Sequence, residues 1–110
     1  MKIYLDTSSD KVIFKIDDVC YEKELGRDMA EKLLGFMHEK LQENGKDFED
    51  ITEIEFMSGP GSFTGLRIGA TVVNTLAHEL NVPLLDHHGA SYRQIVPEYG
   101  AGANITKPRK

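Results

Sequence analysis

The chain has 110 residues, with 13 Lys plus Arg against 18 Asp plus Glu and a formal net charge of −5. That length is enough for one domain with a core of its own but too short for two full domains, and 40% apolar with 28% charged residues excludes a disordered or fibrous chain. The acidic balance argues against a protein that grips nucleic acid through its own bulk field, since phosphate binding needs clustered Lys and Arg.

Lys2 to Asp6 alternates polar and apolar residues, Thr7-Ser8-Ser9-Asp10 is a turn cluster, and Val12 to Ile16 alternates again, so both runs read as strands. Asp17-Asp18 connects tightly into a third alternating run, Val19 to Leu25, which predicts an antiparallel meander. After Gly26 the period lengthens: Met29, Ala30, Leu33, Leu34, Phe36, Met37 and Leu41 fill an arc of roughly 160° on a helix expected from Arg27 to Asn44. Asn44-Gly45 closes it, with Gly45 suited to the left-handed cap position. Ile51 to Met57 reads as a fourth strand and Ser58 to Gly65 as a loop. A second helix is expected from Thr64 to Leu80, with Leu66, Ala70, Val73, Ala77 and Leu80 along one face, then a short fifth strand from Val82 to Leu85. The order β-β-β-α-β-α-β predicts a mixed five-stranded sheet with crossover helices, an α/β lobe over residues 1–88. From 89 to 110 the pattern fades, and an extended or partly disordered tail is expected. With a single cysteine, Cys20, no apolar run of membrane length and no signal-peptide pattern, the expected location is cytoplasmic, away from membranes.

The strongest local signal is Gly59-Pro60-Gly61-Ser62-Phe63-Thr64-Gly65-Leu66-Arg67-Ile68-Gly69. Its glycines let the backbone turn sharply and approach another group closely, while Ser62 or Thr64 is placed to cap the following helix. A helix start after such a loop can cradle an anion, although a capped strand-to-helix turn without a ligand is the commoner case. Known catalytic templates fail residue by residue. A phosphate-binding P-loop needs Gly-Lys-Ser/Thr, but Gly65 is followed by Leu66; the dinucleotide fingerprint needs glycine at Thr64; a nucleophile elbow needs glycines at Pro60 and Thr64. His38-Glu39 and His78-Glu79 each begin a zinc-protease motif, but Gln42 and Val82 stand where the second histidine belongs. His87-His88 reads as a solvated loop pair, so no metal site is assigned.

The run from Gly59 to Gly69, set after a first strand ending Asp6-Thr7-Ser8, a meander, a helix and a strand, resembles the signature of the TsaB (YeaZ) family. The resemblance spans roughly residues 1–86, with Val96-Pro97-Glu98-Tyr99 weakly similar to a later family segment. It implies an actin-like (ASKHA, ribonuclease H-like) fold, of which the chain is expected to form the N-terminal lobe only. It also implies a role in threonylcarbamoyl modification of adenosine 37 of tRNA. In that family the subunit pairs with the catalytic paralogue TsaD through N-terminal-lobe helices, and TsaE, an ATPase, joins the pair. ATP and a divalent metal are then used by the partner subunits, tRNA is met only indirectly, and the chain itself carries no catalytic residue. Gly59, Pro60, Gly61, Ser62, Phe63, Thr64, Gly65 and Arg67 are the signature positions. The sequence departs from the family at Met29 and Gly35, where a histidine and a proline are common.

Both helices carry apolar arcs wider than one sheet requires, and Met29, Leu33, Met37, Leu66, Ala70 and Val73 are the expected partner contacts; when the protein is alone the same surface is expected to self-pair as a homodimer. Asp6 sits where actin-like folds keep a metal-linked carboxylate, but Met57-Ser58-Gly59 supplies no second acid, so it reads as a turn residue. The alternative function is a nucleotide- or metal-dependent, peptidase-like hydrolase that uses Asp6, Ser62 and Thr64 around the Gly59 to Gly65 loop.

Overall fold

The structure, a computed structural model, describes residues 1–92, with the side chain of Tyr92 left aside. Its elements are β1 (Lys2–Asp6), β2 (Lys11–Ile16), β3 (Val19–Glu24), α1 (Met29–Glu43), β4 (Glu53–Phe56), α2 (Phe63–Leu80), β5 (Leu84–Asp86) and β6 (Ser91–Tyr92), with short 3-10 turns at Gly26–Asp28 and Phe48–Asp50. The strands form one six-stranded sheet in the order β3-β2-β1-β4-β5-β6. β1 pairs antiparallel with β2 and parallel with β4; β4 and β5 are parallel; β6 returns antiparallel to β5.

Period-two alternation places one apolar set on one face. The register sets Ile3 beside Ile16 and Ile54, Leu5 beside Phe14 and Phe56, and Leu84 beside Ile54, and all of these are buried. Helices α1 and α2 supply the other half of this core through Met29, Leu33, Phe36, Met37 and Leu41, and through Leu66, Ala70, Val73 and Ala77. The opposite sheet face is polar: Lys2 bridges Glu55 at 3.0 Å and Glu53 at 3.5 Å, and the Lys15 ammonium lies 5.0 Å from the centre of the Tyr4 ring.

Local chemistry explains the joints. Asp17 takes a φ of 52° in the β2–β3 turn, and its carboxylate accepts from the Lys2 N–H at 2.9 Å, which ties the hairpin to the start of β1. Gly45 takes a φ of 70° after α1, as its place beside Asn44 predicts, and the Lys46 N–H reaches back to the Leu41 carbonyl at 2.9 Å. At the end of α2 the left-handed position falls to Asn81, φ 55°, and the Val82 N–H closes on Ala77 O at 3.1 Å.

The α/β class and the order of elements agree with expectation, and three features go beyond it. The sheet has a sixth strand, because Ser91–Tyr92 folds back on β5 within the segment expected as a tail; residues 93–110 of that segment, with the Val96 to Tyr99 run, lie outside the described residues. Residues 26–28 form a separate 3-10 turn ahead of α1. The third is a correction. Met29, Leu33, Met37, Leu66, Ala70 and Val73, expected as partner contacts, are each 4% exposed or less and pack into the sheet-facing core. The physical reason is the depth of the sheet's apolar face: Phe14 and Phe56 fill the space under both helices and draw the centre of each arc inward, so only the flanks reach solvent.

Gly35 lies inside α1, exposed, with nothing within 4 Å of where a Cβ would stand. Gly35→Ala is therefore expected to stabilise the protein by about 0.5–1 kcal/mol, read as a higher urea midpoint at unchanged slope.

Candidate functional site

The Gly59 to Gly69 run joins β4 to α2 and lies across the end of β1. The Gly59–Pro60 peptide is cis, and Ser62 caps α2, its Oγ accepting from the Gly65 N–H at 3.2 Å. The loop is fastened to β1 by main-chain and side-chain bonds: Met57 N–H to Leu5 O at 2.9 Å, Ser62 N–H to Ser8 O at 2.8 Å, and the buried Thr7 hydroxyl to Gly65 O at 2.7 Å. Asp6 holds the same turn from within, its carboxylate accepting from the Ser8 N–H at 2.8 Å and the Ser8 hydroxyl at 2.6 Å.

Gly61, in the loop, and Gly65 and Gly69, one turn apart on α2, all approach the β1 end. A Cβ at Gly61 would stand 2.5 Å from Ser8 Cβ; one at Gly65 would overlap the Thr7 carbonyl oxygen; one at Gly69 would overlap the Thr7 hydroxyl and crowd the Phe56 ring. These glycines therefore set the close approach of α2 to the β1 end. Ser62 serves as a helix cap and Asp6 as a turn residue, so the hydroxyl and carboxylate named for a hydrolase are each engaged in local backbone contacts. Among the described residues, no group of three or more His, Cys, Asp or Glu is arranged to hold a metal ion.

The outer side of the same elements is different in kind. Thr64, Arg67, Ile68 and Thr71 of α2 and Ala30 of α1 line a groove of about 300 Å³ between the two helices. Leu34, one turn beyond Ala30, is 49% exposed; Phe63, the first residue of α2, is 51% exposed and lies under the Arg67 guanidinium at 5.7 Å. Sequence periodicity does not single out these flank residues as contacts, although the sequence shows a shortage of charge on the side of α2 where Thr71, Asn74, Thr75 and His78 lie between Arg67 and Glu79.

Further features lie at the strand ends and along the strands. Ser58, 7% exposed, directs its N–H and its hydroxyl toward His87 Nδ1 at 3.2 and 3.4 Å. On the polar sheet face, burial raises the Tyr4 phenol above its ordinary pKa, with the charges of Asp6, Glu55 and Cys20 adding to the shift. Cys20 is exposed on β3.

With this geometry in hand, the comparisons with known proteins are specific. A family model described as TsaD, tRNA N6-adenosine threonylcarbamoyltransferase, matches residues 23–90. The curated tRNA threonylcarbamoyladenosine biosynthesis protein TsaB of Bacillus subtilis (strain 168) is 40% identical over 48 residues, which are 44% of this chain and 21% of that protein. Among solved structures, YeaZ from Pseudomonas aeruginosa superposes with a TM-score of 0.68 at 32% identity, covering 77% of this chain and 42% of that one. A second, titled an uncharacterized protein with similarity to peptidase YEAZ from Pseudomonas aeruginosa, gives 0.69 at 32% identity over 77% of this chain and 41% of that one. The chain thus matches less than half the length of each of these relatives. The expected fold class is the one these structures share. By its family match and by its likeness in sequence and fold, the chain belongs to the TsaD family and is a TsaB/YeaZ-like member of it.

Proposed function

We propose that this chain is a non-catalytic, TsaB-like subunit that pairs with a TsaD-like catalytic subunit and supports threonylcarbamoyl transfer to adenosine 37 of tRNA. The observation that carries the pairing is the α1–α2 groove, lined by Thr64, Arg67, Ile68 and Thr71 of α2 and Ala30 of α1, with half-exposed Leu34 on α1 and half-exposed Phe63 at the start of α2, on helices whose inner sides are already committed to the core. Docking another helix pair there removes the apolar area of Ala30, Leu34 and Ile68 from water and leaves Arg67 as the one charge among the lining residues to be paired. Arg67, held over the Phe63 ring at the groove's edge, adds a polar contact that orients the partner.

On this reading the Gly59 to Gly69 signature shapes the docking surface rather than a reaction centre. By seating α2 close against β1 it fixes the height and tilt of the groove, and its polar groups go to caps and turns. ATP and the divalent metal then belong to the partner subunits, among them a TsaE-like ATPase, and tRNA meets this chain only through the complex. Without its partner, the same groove self-associates. The hydrolase alternative gains nothing from the geometry, since Ser62 Oγ accepts from Gly65 N–H and Asp6 accepts from Ser8.

The test is reconstitution of the tRNA modification from purified cognate subunits. Threonylcarbamoyladenosine is expected to accumulate only when this chain is added to the TsaD-like and TsaE-like proteins with ATP and threonylcarbamoyl-adenylate. Product formation at the same rate without it refutes the supporting role. Calorimetry of the isolated chain with ATP and magnesium is expected to show no tight binding.

A further inference from the structure

His87 lies just past the end of β5, beside the end of β4 where Ser58 opens the glycine loop. Ser58 directs two donors at one ring atom: its N–H lies 3.2 Å and its hydroxyl 3.4 Å from His87 Nδ1. A backbone N–H has no choice of role, so Nδ1 must accept, and only a ring without a proton on Nδ1 can do so. Ser58 is 7% exposed, which leaves water little access to its N–H when that acceptor is lost. The turn that presents His87 is held independently by the buried Asp86, whose carboxylate accepts from the His88 N–H at 2.8 Å and the Ala90 N–H at 3.0 Å.

From this geometry we infer that Ser58 and His87 form a pH-sensitive latch between the glycine loop and the β5–β6 turn, closed when His87 is neutral and opened when it gains a proton. Protonation converts Nδ1 from acceptor to donor and sets it against the Ser58 N–H, so both bonds are lost together. The sign follows: the latch strengthens the neutral form, and its contribution is present at higher pH and lost as pH falls through the range in which imidazoles gain a proton.

His87 faces the same depression of the polar sheet face as Lys2, Tyr4, Lys15, Asp17, Asp18 and Glu55. There Lys2 is bridged to Glu55 at 3.0 Å, and the direct contacts to the His87 ring nitrogen are those of Ser58. The ring of His88 lies with its centroid 4.0 Å from that of His87. The two adjacent rings must therefore be told apart experimentally.

The experiment is amide hydrogen exchange at Ser58, followed by NMR from about pH 7.5 to about pH 5 and divided by the intrinsic exchange rate at each pH. In the wild-type chain, protection of the Ser58 amide is expected to fall by about tenfold across the titration of His87, the factor for losing one hydrogen bond to a near-buried N–H. His87→Asn, whose side-chain carbonyl sits where Nδ1 does and accepts at every pH, is expected to keep the protection and abolish the step; His88→Asn is expected to keep the step. Ring nitrogen shifts provide a readout that needs no variant: at about pH 7.5, His87 should carry its proton on Nε2 and none on Nδ1. A proton on Nδ1 at that pH, flat Ser58 protection across the His87 titration, or a step that survives in His87→Asn each overturns the latch.

Discussion

Gly65→Ala is expected to destabilise the domain by about 3 kcal/mol or more, a large share of the stability of a single domain of this size. The position is inside α2, where alanine is normally the better helix former by about 1 kcal/mol, so propensity alone predicts the opposite sign. What decides is the neighbour. A Cβ there overlaps the carbonyl oxygen of Thr7, a main-chain atom fixed by the β1 end, and cannot be relieved by turning a side chain. Relief requires α2 to lift from β1, which breaks the Thr7 hydroxyl to Gly65 O bond at 2.7 Å and loosens Leu66 and Ala70 in the core. Gly69→Ala meets the Thr7 hydroxyl and the Phe56 ring and is expected to cost a similar amount. Urea unfolding of the two variants beside Gly35→Ala checks the account: two large losses and one small gain from the same substitution, decided by what each Cβ meets. Equal effects at all three positions would contradict it.

The second large effect falls on binding. Leu34→Glu combined with Thr71→Glu places two carboxylates on the outer surface of α1 and α2, at positions that are exposed in the isolated chain. Their cost to folding is expected to stay within about 0.5 kcal/mol each, because neither is in the core. Their cost to docking is expected to be at least about a hundredfold in affinity for a TsaD-like partner, since an unpaired charge buried in an interface costs several kcal/mol. The matched alanine pair is expected to lose far less. Circular dichroism and the urea midpoint verify the fold, and calorimetry reads the affinity.

Much of the architecture was legible because it is local. Alternation in β1 and β2, the Asp17-Asp18 turn, and the change of period after Gly26 each depend on neighbours a few residues apart, and the structure agrees with each. The end of α1 was legible for the same reason, through Asn44-Gly45. The side of each helix that faces the sheet was not. Periodicity defines an arc but not its centre, and only the bulk of Phe14 and Phe56 beneath the helices decides that Met29 and Leu33 turn inward while Ala30 and Leu34 remain outside. The glycine spacing in the signature was equally visible, but its meaning required β1: nothing near Gly65 in sequence points to Thr7, 58 residues away. The Ser58–His87 contact spans 29 residues and joins two loops that only the parallel pairing of β4 and β5 brings together. Strand β6 was missed because two residues with no alternation carry no strand signal of their own.

The proposed role is that of a partner subunit whose outer helix surface docks a TsaD-like protein. The most direct test is titration of the purified cognate TsaD-like subunit into the folded wild-type chain by calorimetry, with the Leu34→Glu/Thr71→Glu variant in parallel. A complex with a Kd of about 1 μM or tighter, lost in the variant, is the predicted result; no heat and no complex with the wild-type chain, while its fold is intact, would contradict it.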